Sequence, residues 1–323
     1  MMLLTLILLI LVIVILISLN DSYHIKPSNS YIQYRNDAIS ITSKILLLQN
    51  LLLLHGVSVS ASSLNNDIVV IGSNGKTGKS IVKMLRDKSI PVRAASRKLD
   101  ESSGSIGSGS SSTYIDVTKI ETIENAIKDS NAVIYTASAS SNGGNAENVD
   151  YLGLKNVANE CIRLKINRLV VISVAGSTRP NSTVFAMTDY IGNIRPWKKN
   201  IMEFKSMGEK AVMKLYEQAD KSLSYTIIRP GVLFDGKGVG PIGLEINQGD
   251  TISGEINRED VAACAVAAAT SKTIPKNVIF EVYQTEGTRG TLEDKFPSQS
   301  GYERRGEDYE IMFQGLKSNI FML

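Results

Sequence analysis

IVVIGSNGKTG, residues 68–78, decides how the rest of the chain is read. Four apolar residues, Ile68 to Ile71, run directly into Gly72, Gly75 and Gly78, and Ile81, Val82 and Leu85 then recur at helical spacing. The order is strand, glycine turn, helix. Such a turn lets the backbone approach a pyrophosphate closely and aims the free N–H groups and positive end of the helix at it. Gly72, Ser73, Asn74, Gly75, Lys76, Thr77 and Gly78 are therefore candidate cofactor-binding residues. Three glycines by themselves fit a plain tight turn equally well, so the surrounding chain has to decide.

Downstream, the spacing predicts a helix over 79–87 and a second strand over 91–95, ending in Ser96-Arg97-Lys98. An NAD-selective site would place an acid near here for the ribose 2′-hydroxyl, whereas Arg97 and Lys98 suit a 2′-phosphate. NADP is thus expected over NAD; the alternative is that both cations are solvated loop charges. Residues 99–113 are rich in Gly and Ser and read as a mobile surface loop. Tyr114 to Val117 reads as a short third strand. At its end Asp116, with Val117 beside it, either meets the adenine edge or caps a helix over 120–128. Ala132 to Tyr135 forms the fourth strand. Small residues after it, Thr136, Ala137 and Ser138, would let a phosphoribose lie against the sheet edge. A SSNGGN loop, a helix marked by Val149, Leu152, Val157, Cys161 and Leu164, and an apolar strand from Arg168 to Ser173 complete five βα repeats. The fold class is α/β: a Rossmann-type, doubly wound parallel sheet in a single domain with a small C-terminal substrate-side portion.

At this point eight pieces in order carry a resemblance: IGSNGKTG, SRK, YIDVT, VIYTASA, VVISVAG, FKSMGEKAV, YTIIRPGVL and INREDVA, spread from about Asp67 to Tyr283. Together they resemble an atypical short-chain dehydrogenase/reductase of the NmrA-like, NAD(P)-binding group of plants and algae. The resemblance implies that Lys205 is the active-site lysine, holding the nicotinamide ribose, that Ser173 lies in the region of the catalytic serine, and that Pro230, Gly231 and Val232 line the nicotinamide side of the cleft. In typical members a tyrosine four residues before the lysine donates a proton to the substrate carbonyl. Here that position is Ile201, so the Tyr-x-x-x-Lys mechanism is absent as written. Ser173 reads equally as a hydroxyl satisfied at a strand end. Tyr190, read as a loop residue, is a substitute acid or a surface tyrosine. Two functions follow: an NADPH-dependent oxidoreductase of an unknown small molecule, its proton coming from elsewhere, or an NADP(H)-binding redox sensor or scaffold without turnover. A nucleoside-diphosphate-sugar epimerase shares the fold, but loss of the tyrosine counts against it.

Composition narrows the classes further. Lys and Arg number 35 against 32 Asp and Glu, which leaves no strong field for nucleic acid. Cys161 and Cys264 stand far apart in helical patterns, and both histidines, His24 and His55, precede the glycine turn. A disulfide framework, a metal site and a histidine base are accordingly not expected. The Gly-rich stretch 236–243 reads as a lid or a flexible connection, Arg258-Glu259-Asp260 as a brace for the helix that Asp260 starts, and residues 278–283 as a closing strand. A last amphipathic helix over 309–316 either docks on the domain or contacts a protein partner.

The division expected is a leader over 1–64, the NAD(P)-binding domain over 65–285 and a C-terminal extension over 286–323. Residues 1–19 are apolar except Thr5 and Ser18, which fits a signal-peptide core or an anchor spanning a bilayer. A second apolar run over 45–54 precedes small residues ending at Ala61. Two signals in series resemble the bipartite leaders of proteins sent to plastids of secondary origin. The alternative is an endomembrane protein anchored by residues 1–19, in which case the sequon Asn181-Ser182-Thr183 would be open to glycosylation.

Overall fold

Strand β1 (Ile68–Ile71) is buried along its whole length, and its alternation sends Ile68 and Val70 into one core and Val69 and Ile71 into another. The computed structural model describes residues 67–99, 110–286, 289–291 and 304–318. The chain divides into two units, Met1–Ser63 and Leu64–Leu323, and the expectations for the leader lie outside the described residues. Among the described residues no helix is long and apolar enough to cross a membrane.

After β1 the chain forms α1 (Lys76–Asp87), β2 (Val92–Ser96), β3 (Ser110–Tyr114), α2 (Ile123–Ile127), β4 (Ala132–Tyr135), α3 (Leu154–Arg163) and β5 (Arg168–Ile172). It continues through α4 (Thr183–Ile194), α5 (Ile201–Glu217), β6 (Ser224–Pro230), β7 (Val232–Phe234), β8 (Leu244–Asn247) and β9 (Ile252–Asn257), then α6 (Arg258–Thr270), β10 (Val278–Gln284), β11 (Arg289–Thr291) and α7 (Tyr309–Gln314). The main sheet runs β3-β2-β1-β4-β5-β6-β10-β8, parallel throughout except for β8, which is antiparallel to β10. A second sheet, β11-β9-β7, lies beyond it in sequence connection.

Both faces of the main sheet are covered, as a parallel sheet requires. On one face α1 contributes Ile81, Val82 and Leu85, α6 contributes Val261, Cys264 and Ala265, and α7 contributes Met312 and Phe313. On the other, Ile123 and Ile127 of α2, Leu154, Val157 and Cys161 of α3, and Val212 and Tyr216 of α5 pack together. The strand order reverses beside β1: β2 and β3 extend to one side and β4 to the other. A crevice forms at such a reversal, outside the carboxyl ends of the strands, and is where a doubly wound sheet takes its ligand.

Several expectations need correction. The last residues of the Gly/Ser stretch, Ser110 to Thr113, are not loop but belong to β3, hydrogen-bonded in parallel register with β2. Polar serines serve here because the strand is at the sheet edge and only half-buried. Asp116 and Val117 lie past the end of that strand, although Ile115 and Val117 are still buried in the core. The helix expected over 120–128 begins as a 3-10 turn, Ile120–Thr122, and is α-helical only from Ile123. Tyr190 stands on helix α4, not in a loop, and is 67% exposed. Of the two roles expected for the C-terminal helix, docking on the domain is the one seen: Met312 and Phe313 of α7 are fully buried.

Candidate cofactor and active site

Gly72 ends β1 with φ +84°, and a Cβ there would stand 2.8 Å from Ala137 N and from Thr136 Oγ1. Gly78 is tighter, since its Cβ would meet Gly72 O at 2.2 Å. The two glycines are thus required by the fold of the turn itself. Gly75, at φ −71°, is the residue before α1 and supplies no side-chain cap, so the first N–H groups of the helix, from Lys76 and Thr77, are left for an anion. Thr136 N and Oγ1 donate to Ile71 O at 2.9 and 2.8 Å, which brings the loop after β4 against the glycine turn. Ala137 is half-buried in this contact and Ser138 is exposed.

Arg97 and Lys98 are tied to the same place. Asn74 Nδ2 donates to Ser96 Oγ at 3.0 Å and to Lys98 O at 2.8 Å, while Ser73 is buried and donates to Ala95 O. The Arg97 guanidinium, exposed, donates to Asn142 O at 2.7 Å and packs on Gly143, where a Cβ would come within 2.0 Å of it. Arg97 therefore bridges the loop after β2 and the loop after β4. Asp116 turns its carboxylate onto its own loop, accepting from Thr118 N at 3.1 Å and Thr118 Oγ1 at 2.7 Å, an Asx turn leading into the 3-10 segment. A backbone cradle that a Cβ would fill and uncapped helical N–H groups together fit the pyrophosphate of a dinucleotide.

Lys205, on α5, faces Asp150 Oδ1 at 2.8 Å, and Asp150 is 1% exposed. Asp150 Oδ2 also accepts from Ala139 N at 2.9 Å. Its own stretch, Glu147–Gly153, is π-helical, and Gly208 of α5 lies so close to it that a Cβ would stand 2.3 Å from Asp150 O. With Tyr135, Leu154, Val171, Ile172 and Ser173, the pair lines a small cleft. Tyr135 is no substitute acid: it donates to Val149 O at 2.5 Å, and burial, reinforced by Asp150, pushes its hydroxyl well above the usual tyrosine range. Ile201, where a tyrosine would stand, is 5% exposed.

Behind the cleft Ser173 Oγ donates to Glu209, which receives Arg229 Nη2 at 2.6 Å. Arg229 also faces Glu281 at 3.4 Å and Asp250 at 3.9 Å. Burial works against the Arg229 charge, but Glu209 and Asp250 outweigh it and raise its pKa. Burial, with Asp250 adding to it, pushes Glu281 up to about 8. Pro230 sits at the end of β6 against β10, and Gly231 N donates to Val282 O at 3.1 Å. Gly231 packs on Gly254, its Cβ meeting Gly254 O at 1.9 Å, and Val232 begins β7, paired to β9 and 41% exposed. The Gly236–Gly243 stretch is fastened to α6: Gly238 N donates to Glu259, and Val239 N and Gly240 N to Asp260. Glu259 and Asp260 thus brace this loop, and Arg258 pairs with Asp235 just before it.

Sequence reasoning missed Asp150 and Glu209. Each had a signal: Asp150 is four residues before Leu154 and seven before Val157, an acid in line with a buried stripe, and Glu209 stands between Met202 and Val212 in the same way.

A model of the NAD(P)H-binding family matches residues 72–272. The chain belongs to this family. That confirms the resemblance to atypical short-chain dehydrogenases/reductases and the Rossmann sheet. Among relatives, the UPF0659 protein of Saccharomyces cerevisiae is 27% identical over 208 residues, covering 62% of this chain and 85% of the relative. A chloroplastic protein of Arabidopsis thaliana is 26% identical over 246 residues, 72% and 82% of the two chains. Sanguinarine reductase of Eschscholzia californica is 25% identical over 263 residues, 68% and 90%. The NAD(P)H-binding fold also superposes on an anaerobillin reductase of Escherichia coli with a TM-score of 0.55 at 19% identity, covering 69% of this chain and 98% of that one. A short-chain dehydrogenase/reductase of Veillonella parvula in complex with NADP gives 0.52 at 15% identity, covering 72% and 98%.

Proposed function

We propose that this protein is an NADPH-dependent reductase of a small carbonyl, enone or quinone compound. The observation that carries the reading is the Lys205–Asp150 pair: a lysine held by a buried carboxylate at 2.8 Å, in a cleft at the carboxyl edge of the sheet that also forms the glycine cradle. Gly72 to Gly78 and the start of α1 would hold the pyrophosphate, Arg97 with Lys98 the 2′-phosphate, and Lys205 the nicotinamide ribose. The bound nicotinamide supplies hydride. Asp150 fixes the position of the Lys205 side chain in a partly dry site. Ile201 gives no proton, so the proton comes from water, from the substrate or from another side chain. One of the relatives, sanguinarine reductase, favours turnover.

A second reading, a sensor that binds NADP(H) without turnover, is favoured by one observation, the buried Ile201 in place of the acid. Following NADPH oxidation across a panel of carbonyl, enone and quinone acceptors, with Lys205→Ala as control, separates the two. Turnover lost in Lys205→Ala supports the reductase; silence across the panel with tight NADPH binding supports the sensor. For location we propose import into a plastid, which the chloroplastic relative and the two apolar runs over 1–19 and 45–54 favour. A fluorescent fusion of residues 1–64 retained in the endoplasmic reticulum would contradict it.

A further inference from the structure

Helix α4 presents its apolar side chains to solvent. Met187, Tyr190, Ile191 and Ile194, spaced i, i+3, i+4 and i+7, make one stripe along it, and all four are exposed, from 38% at Ile191 to 67% at Tyr190. The two polar residues inside this span are the ones withdrawn from water. Thr188, half-buried, donates its hydroxyl to Val184 O at 2.8 Å, and Asp189 is half-buried with Oδ1 lacking a hydrogen-bond partner among the described residues. The helix is held from its other side, where Val184 and Phe185 pack with Trp197, Ile201 and Met202 and with Ala139 of the loop after β4. Ser182 caps its start, accepting from Phe185 N at 3.2 Å. The stripe is therefore a fixed face of a docked helix, and an apolar face of that kind marks an interaction surface.

The charge beside the stripe says what covers it. The chain leaves α4 through Arg195 and a 3-10 turn, Pro196–Lys198, followed by Lys199. Arg195 and Lys199 are exposed and, among the described residues, make no ion pair. The single acid between residues 181 and 202 is Asp189, which is half-buried and so offers these cations no exposed counter-charge. A second copy of the chain is a poor occupant: stripe against stripe brings no acid to the cations of either copy. Four side chains from each copy also fall short of the roughly 1,200–2,000 Å² that a stable interface buries. An anionic bilayer suits every part of the face. Acyl chains receive the stripe, headgroup phosphates meet the cations, and Tyr190 and Trp197 are the aromatic types that favour the boundary between them.

We propose that α4 and the turn after it are a membrane-docking face, on which the helix lies in the surface of an anionic bilayer with Met187, Tyr190, Ile191 and Ile194 at the acyl boundary and Arg195 and Lys199 on the headgroups. The face belongs to the unit Leu64–Leu323, so this docking is separate from any anchoring by residues 1–19.

Both large cores lie within Leu64–Leu323, so that piece folds on its own and is tested beside the full chain. Each is mixed with vesicles of phosphatidylcholine alone or of equal parts phosphatidylcholine and phosphatidylglycerol, and binding is read by co-sedimentation. Trp197, the single tryptophan of the chain, gives a local signal through quenching by brominated acyl chains. Each cation near an anionic surface strengthens binding by about fivefold, so the anionic vesicles should be preferred by at least about tenfold. Tyr190→Gln with Ile194→Gln, both at exposed positions, should weaken binding by at least about tenfold with an unchanged melt. Arg195→Gln with Lys199→Gln should remove most of the preference for anionic lipid. Equal binding to the two vesicles, absence of Trp197 quenching, or binding unaffected by the Tyr190/Ile194 pair would overturn the inference. Binding by the full chain but not by Leu64–Leu323 would assign it to the leader and overturn it too. So would a lipid-free dimer that the Tyr190/Ile194 pair abolishes, since the face would then belong to a second copy.

Discussion

Replacing Gly78 by alanine tests the cradle at its tightest point. The added Cβ would stand 2.2 Å from Gly72 O, 2.9 Å from Gly72 C and 2.9 Å from Ser73 Cα. All three are backbone atoms, so no side chain can swing away; α1 and the turn must separate by about an ångström to restore ordinary contact. That movement breaks the Gly75 N to Gly72 O hydrogen bond, now 2.9 Å, and takes the helical N–H groups away from the anion. Each charge-assisted bond is worth about 1.5–3 kcal/mol, so losing one or two raises the Kd for NADPH by roughly a hundredfold. Stability should fall by about 1–3 kcal/mol, the usual cost of overpacking. Gly75→Ala is the matched control. Its φ of −71° suits any residue and its Cβ would be 3.2 Å from Gly72 O, so the neighbour gives only slightly and binding should weaken by less than about tenfold. NADPH fluorescence titration with a thermal melt of each variant reads both effects. Gly78→Ala binding within about twofold of the parent, or a larger loss in Gly75→Ala than in Gly78→Ala, would refute the reasoning.

Asp150→Asn removes the counter-ion of Lys205 at nearly constant volume. Lys205 retains some solvent contact, 14% exposed, so the loss should be below the 3–5 kcal/mol of a fully buried pair, about 2 kcal/mol and ~4–8 °C in Tm; an unchanged melt would contradict the pairing. Glu281, held protonated in the fold up to about pH 8, binds its proton more tightly than it would in the unfolded chain. Its contribution is fully present below its unfolded pKa of about 4.5 and is lost as pH rises toward 8. Melting curves should show stability falling across that window, and Glu281→Gln should flatten the fall; a slope unaffected by the substitution would exclude Glu281 as its source.

How far the sequence could be read depended on where the physical cause was local. IVVI alternates between two cores and needed no partner information to be read as a buried strand. Gly72 and Gly78 could likewise be placed at a turn, although the reason each must be glycine, Ala137 N in one case and Gly72 O in the other, is a contact that only the fold provides. The third strand was expected at residues 114–117 and lies at Ser110–Tyr114, because edge serines carry no apolar period; their pairing with β2 comes from backbone hydrogen bonds. Lys205 was placed by resemblance, but its partner lies on a different helical stretch, and the Arg229 cluster joins residues of α5, β6, β10 and the loop between β8 and β9. Long-range electrostatics of that kind has no spacing in the chain to betray it.

The central claim is that the turn after β1, together with Arg97, holds NADP(H). The direct measurement is the ratio of Kd values for NADH and NADPH on the full chain and on Arg97→Ala. A single charge-assisted contact to the 2′-phosphate should favour NADPH by at least about tenfold, and Arg97→Ala should remove most of that preference while NADH binding stays unchanged. Equal affinity for the two cofactors, or a preference that persists in Arg97→Ala, would contradict the account.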